Sequence, residues 1–427
     1  MQIAPRTKWQ LARAAALAVL AFSLVPPSGA FAATVWAKQA SGTTSTLYST
    51  AFARLDRAVA VGDSGTTLLT NDGGLHWATL TSVTDNNLNA VAFGDISYGW
   101  IVGENGTILA TTNGGATWAP QTDPDSNAND LFGVAFADRK YGCAVGAYGT
   151  VLVTSNAGAL WSAETSITGN NLVAVSFPNA SHGWAVGDNG VILATTNGGV
   201  HWTAQTNPDG STNDLRSVSF VDATHGWAVG ENGLILATTN GGAHWAIQTN
   251  PDADSNGLRS VRFSDRTHGS AVGDNGVILM TKDGGAHWVV QANPDASGSD
   301  LHSVAFSGLG HGRAVGDNGV VLAYGVNAST VTKLKAPGTG AKGKSLKLTG
   351  TVSPASAAGK VLVNLYRLVG KKWVPAGTGT ANVKNGAFAY SFKPAYKGKW
   401  RFNANFLRSS AWYSSSSSHG YASTTVK

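Results

Sequence analysis

Six carboxylates recur at one position of a repeated phrase: Asp63, Glu104, Asp188, Glu231, Asp274 and Asp317, each opening an acid-x-Gly turn. Two carboxylates facing one glycosidic bond, about 5 Å or about 6.5–9.5 Å apart, would make a glycosidase. A group that every repeat needs for its turn is a poor candidate for a unique acid or base. The chain has only three glutamates, Glu104, Glu164 and Glu231, and no Arg-Ile-Pro motif. The expectation is that the protein is not an enzyme, with a sialidase-like or other glycan-binding or glycoside-hydrolysing protein as the alternative.

Metal chemistry receives the same test. Asp252, Asp254, Asn256 and Gly257 have the spacing that opens a calcium loop. The twelfth position, however, is Phe263 rather than Glu. A solvated loop is the ordinary reading, and calcium at Asp252, Asp254 and Asn256 is the minor one; no other cofactor is expected. His182, His225, His268 and His311 recur in His-Gly turns, and His76, His201, His244 and His287 precede tryptophans. Such periodicity belongs to turns. Cys143 is the only cysteine and stands where sister repeats have Trp, so it reads as a small buried hydrophobe.

The elements that position these residues are legible in the repeat. Trp36, Trp77, Trp118, Trp161, Trp202, Trp245 and Trp288 follow one another at steps of 41 or 43 residues. Within 215–248, four short β-branched or aromatic runs ("LRSVSF", "WAVG", "LILATT", "WAIQT") alternate with Gly/Asn/Asp turns. That is one four-stranded antiparallel sheet. A single such sheet is marginal alone and must stack on its neighbours. Sheets of this kind repeated every 40–45 residues are propeller blades. The glycine ending the second strand occurs at Gly62, Gly103, Gly146, Gly187, Gly230, Gly273 and Gly316, which predicts seven blades. The last set lacks a fourth strand, whereas Val35–Gln39 ("VWAKQ") matches Thr117–Gln121 ("TWAPQ"). The N-terminal strand is therefore expected to close blade seven.

The turn before each tryptophan reads Thr-x-Asn/Asp-x-Gly-x-x-Trp, as in Thr70, Asp72, Gly74 and Trp77, or Thr281, Asp283, Gly285 and Trp288. Here the chain resembles the Asp-box (BNR) propellers. With "GWAVGDNG" alongside, it resembles most the photosystem II assembly-factor (Ycf48-like) propellers. The resemblance covers 35–325 and implies a non-catalytic propeller with a face that binds a protein client.

Specificity in a repeat protein lies where the copies differ. The second residue of the first strand varies most: Tyr48, Asn89, Phe132, Val173, Arg216, Arg259, His302. First strands line a propeller's channel, and this position lies near its mouth. Arg216, Arg259 and Arg262 are expected to form a small basic patch. Blade three has Ala147 and Tyr148 where the others have an acid and Asn or Ser. The candidate partner-binding set is thus Tyr48, Phe132, Tyr148, Arg216, Arg259, Arg262 and His302.

The two ends of the chain differ from the repeats. Arg6, Lys8 and Arg13, an apolar run over 14–25 and Ala30-Phe31-Ala32 form a secretory signal peptide, expected over 1–32. A run so short does not span a bilayer, which takes roughly 20 apolar residues. The propeller is expected over 33–327 and a linker over 328–343. A basic immunoglobulin-like β-sandwich is expected over 344–427, from strands such as "KVLVNLYRL" and "GAFAYSF". Residues 34–330 hold 11 Lys and Arg against 24 Asp and Glu, a formal −13, while 331–427 hold 16 Lys and Arg and no acid. The expected whole is all-β, secreted or envelope-associated, binding an envelope protein client or a glycan. An anionic wall polymer is expected for the basic domain, alternatively docked on the acidic propeller; nucleic acid is not expected.

Overall fold

A computed structural model describes residues 36–74, 76–308, 310–325, 330–353, 359–384, 387–407 and 422–427. The expected signal peptide lies outside the described residues. No helix among those residues is long and apolar enough to cross a membrane.

Seven four-stranded antiparallel sheets follow one another. Blade 5 shows the pattern: Leu215–Phe220, Gly226–Gly230, Ile235–Thr238 and Ala246–Ile247. The second strand of every blade is buried along its whole length except at Arg57, the first residue of Arg57–Gly62 in blade 1. Apolar residues on both faces of the sheet can do this only between two neighbouring sheets. The cores accordingly lie between blades, one of them joining Trp184 and Val186 of blade 4 to Leu215, Phe220 and Trp245 of blade 5.

The first strands pack against each other in cyclic order, Leu301–Phe306 of blade 7 against Leu47–Arg54 of blade 1. Serine hydroxyls stitch this inner ring. Ser49 Oγ accepts the Val91 amide at 3.2 Å, Ser217 Oγ that of Val261 at 3.1 Å and Ser303 Oγ that of Thr50 at 3.3 Å. A backbone donor that would face the next blade unpaired is thereby satisfied.

The expected closure is observed. Trp36–Gln39 pairs antiparallel with Val321–Tyr324, so the N-terminal strand is the fourth strand of blade 7. With it in place Val321–Tyr324 is paired on both sides instead of being left as an open edge. Gln39 then does what its sisters do: its Oε1 accepts the Trp77 indole N–H at 3.5 Å, as Gln205 accepts that of Trp245 at 3.0 Å.

Beyond the propeller, two sheets close on one core. Thr330–Lys335, Leu346–Ser353 and Ala387–Phe392 form the first. Thr339–Gly340, Ala422–Val426, Gly398–Leu407, Gly359–Val369 and Lys372–Val383 form the second. Leu348 and Phe388 of one meet Val361, Val363 and Phe402 of the other. The stretch expected as a linker therefore contains a strand, Thr330–Lys335, paired with Leu346–Ser353. Its Thr-Val-Thr-Lys-Leu-Lys sequence alternates with the period of a strand, which its Lys and Thr content disguised.

Candidate functional site

The first strand of each blade starts beside the three-residue turn that ends the second, an acid-x-Gly turn in six blades and Ala147-Tyr148-Gly149 in blade 3. In that turn the middle residue has left-handed φ: Asn189 is at 55° and Asn318 at 55°. Asn tolerates this region because its short amide can bond locally. The carboxylate that opens the turn reaches back to the first strand. Asp63 Oδ1 accepts the Tyr48 hydroxyl at 2.6 Å, and its Oδ2 the Thr46 amide at 3.1 Å. Glu104 accepts the Asn87 side-chain amide, and Asp188 that of Asn171, each at 2.8 Å. Glu231 takes Arg216 Nη2 at 2.6 Å, Asp274 takes Arg259 Nε, and Asp317 lies 2.7 Å from His302 Nε2. A second tier links the blades: Asp130, Asp214 and Asp300 accept the amides of Asn105, Asn189 and Asn275, each at 2.8 Å. All six recurring acids are thus held within the fold's own hydrogen bonding.

This arrangement corrects the expected basic patch. Arg216 is paired with Glu231, and Arg259 bridges Asp274 and Asp300, the latter at 2.9 Å. An arginine two carboxylates surround carries no surplus charge, and the rim as a whole is acidic. Arg262 stands apart from both. Its sister positions are Ala51, Ala92, Ala135, Ser176, Ser219 and Ala305. Among the described residues it has no hydrogen-bond or ion-pair partner. Solvent reaches it, yet the surrounding protein desolvates the guanidinium and lowers its pKa.

The remaining candidates divide. Tyr48 and His302 touch edge to face, centroids 5.5 Å apart, across the seam between blades 1 and 7. Burial, then the bond to Asp63, pushes the Tyr48 hydroxyl up to about 12. Phe132 is half-buried at the start of blade 3. Tyr148 is 75% exposed and occupies the left-handed turn position, with φ 53°. Asp252 Oδ2 accepts both the backbone and side-chain N–H of Asn256 at 2.9 Å, and Asn256 Oδ1 accepts Asn275 Nδ2 at 2.8 Å. Two of the three calcium candidates are therefore engaged in shaping their loop. Among the described residues no three His, Cys, Asp or Glu side chains gather as metal ligands.

Sequence reasoning missed the second-strand tryptophans as a device. Trp184 Nε1 donates to Gly241 O at 3.1 Å and Trp227 Nε1 to Gly284 O at 2.9 Å, each reaching the Asp-box turn of the next blade. Each indole also stacks on the phenylalanine ending the next first strand. Trp184 lies 3.5 Å from Phe220 and Trp227 3.5 Å from Phe263, both within 6° of parallel. The repeated "GWAVG" beside a Phe-ended strand was the available signal.

Comparison with known proteins agrees with this geometry. A structure of Ycf48 from Cyanidioschyzon merolae is 22% identical, with TM-score 0.58, over 68% of this chain and 98% of that one. A Ycf48 bound to a D1 peptide is 21% identical, with TM-score 0.58, over 69% and 98%. The WD40 propeller of Doa1, at 12% identity and TM-score 0.55, covers 68% and 96%. No curated protein matches the chain. The model of the photosynthesis system II assembly factor YCF48 family matches at 29–120, 76–163, 121–203 and 164–252, together more than half of the 427 residues. The chain belongs to the Ycf48 family of photosystem II assembly factors.

Proposed function

We propose that this protein is a non-catalytic propeller that binds a polypeptide partner on the face carrying the acid-x-Gly turns. The observation that carries this reading is Tyr148. A tyrosine in the left-handed region is strained by about 1–3 kcal/mol, and such strain gathers at functional sites. In five sister turns the position is Asn, which bears the conformation without an aromatic ring, and in blade 1 it is Ser64. Exposed at 75%, the Tyr148 ring buries little that would repay the strain. A large rigid aromatic held out at a rim is what protein interfaces use as an anchor. A Ycf48 relative holds a D1 peptide, which supports a polypeptide as the class of ligand here. Tyr48, Phe132 and His302 would extend the surface, with Arg216 and Arg259 ordering the acids beside them.

The reading places the protein outside the cytoplasm, after removal of residues 1–32, at the cell envelope. The propeller would be its binding domain over 33–327. The basic region that follows would be an immunoglobulin-like module held to anionic wall polymers by many weak, salt-sensitive contacts.

The test uses Tyr148→Asn, which restores the sister turn. Mature protein and variant would be compared in pull-downs from envelope extract and by thermal melting. The expected result is a variant more stable by roughly 1 kcal/mol that no longer recovers the partner. Equal recovery by both would count against this face, and turnover of a fluorogenic glycoside would count against the non-catalytic reading.

A further inference from the structure

The junction between blades 6 and 7 departs from the three junctions that an indole fills, those of Trp100, Trp184 and Trp227. Blade 6 has Ser270 where Trp100, Trp184 and Trp227 stand. Blade 7 draws its fourth strand from the N-terminus, so no Asp-box turn precedes it. Both halves of the usual filling, an indole and the turn that receives it, are therefore missing at one place. Met280 pairs across the strands with Ser270, where the tryptophans face Ala110, Ala194 and Ala237. Its flexible chain takes up part of the space. A cavity of about 220 Å³ remains, lined by Met280, Phe306, Tyr324, His268 and Lys282. Phe306 is the counterpart of Phe136, Phe220 and Phe263, each stacked under an indole at 3.4–3.5 Å. Phe306 meets Trp36 and Tyr324 only at steep angles, 71° and 73°. Lys282 is exposed and has no ion-pair partner among the described residues.

We propose that this slot receives an aromatic side chain of a partner polypeptide, with an acidic residue beside it to meet Lys282. The three indole-filled junctions show what the space is shaped for: a planar ring from a polypeptide, laid parallel on phenylalanine. The slot lies at the end of the sheets opposite the acid-x-Gly turns, since Gly269 and Lys282 flank it whereas Gly273 ends the strand at the rim. It therefore stands or falls independently of Tyr148.

The probe is N-acetyl-Glu-Trp-amide, with N-acetyl-Gln-Trp-amide as its uncharged counterpart, followed by ligand-observed NMR on the full mature chain. Ser270→Trp combined with Met280→Ala rebuilds the sister pair and fills the slot from within. Expected are saturable binding to the native protein, loss of roughly two- to fivefold in affinity in Lys282→Gln, and no binding to the filled variant. Binding that persists in the filled variant, or no saturable binding to the native protein, overturns the proposal. Should the filled variant fail to show the native melting transition, Phe306→Leu replaces it. There a loss of roughly two- to tenfold is expected, and unchanged affinity overturns the proposal.

Discussion

Arg313 Nη2 in blade 7 donates to the carbonyl of Gly73 in the Asp-box turn of blade 1. This is the bond that Trp227 makes to Gly284 two junctions earlier in the ring. An arginine has replaced the indole without changing the task. Its guanidinium lies 5.7 Å from the Phe52 ring, and its Nη1 donates to the Gly312 carbonyl at 2.6 Å. The substitution is nonetheless costly. Arg313 is only 1% exposed, burial pulls its pKa down to about 10, and its Nε finds no partner among the described residues.

Arg313→Trp should therefore restore the common solution. Replacing a buried charge by a well-packed apolar group of similar size is often neutral or stabilising, by about 1–4 kcal/mol. Arg313→Ala should instead lose about 2–5 kcal/mol, because it opens a cavity and orphans the Gly73 carbonyl. Urea unfolding of the two variants decides the matter: a Trp variant as unstable as the Ala variant would show that the guanidinium itself is required.

Ring closure gives a second expectation. Trp36 is 5% exposed, and Lys38 Nζ lies 2.6 Å from Asp295 Oδ1, tying the terminal strand to the loop before blade 7. Removing 33–40 deletes the tryptophan, worth roughly 4–6 kcal/mol at most by buried area. It also exposes the backbone edge of Val321–Tyr324 to pairing with other chains. Thermal melting should fall steeply and aggregation should rise. A truncated chain melting with the untruncated one would mean the ring holds without its clasp.

The fold was legible because the repeat writes each structural rule several times over. Seven glycines and seven tryptophans count the blades, and one displaced "WAKQ" shows the closure. The site was less legible for a reason visible in Arg216 and Arg259. Their charge is countable in the sequence, but their partners lie fifteen residues on, in Glu231 and Asp274, and across a blade in Asp300. A patch is a sum over neighbours, and a count of charges shows neither the strand's return within a repeat nor the contact across blades. Ser270 was readable as a departure from Trp, yet its meaning depends on the missing Asp box of the next blade. Tyr148 was readable as an aromatic in place of Asn, but not as a residue held at positive φ.

Cys143 gives a prediction about reactivity. It is fully buried between blades 3 and 4, packed with Val153, Phe177 and Trp202. Burial pushes its thiol pKa well above the usual range. The thiolate, not the thiol, reacts. The native protein should be inert to a disulfide reagent at neutral pH and release one thiol on denaturation. Rapid labelling of the folded chain would show that blades 3 and 4 part readily.

Tyr48 gives a prediction about alkaline pH. Its hydroxyl is desolvated and donates to Asp63, so the neutral form is favoured and the pKa rises from the ordinary 10.0 to about 12. A group whose folded pKa lies above its unfolded value stabilises the fold fully below the unfolded value. That contribution should be lost as pH climbs from about 10 towards 12. Tyrosinate absorbance should show one residue titrating late in the native protein, and Tyr48→Phe should remove that step. The same variant should flatten the alkaline fall in stability while leaving Asp63 bonded to the Thr46 amide. A late step that survives in Tyr48→Phe would assign it to another tyrosine and sever the link between the rim hydroxyl and alkaline stability.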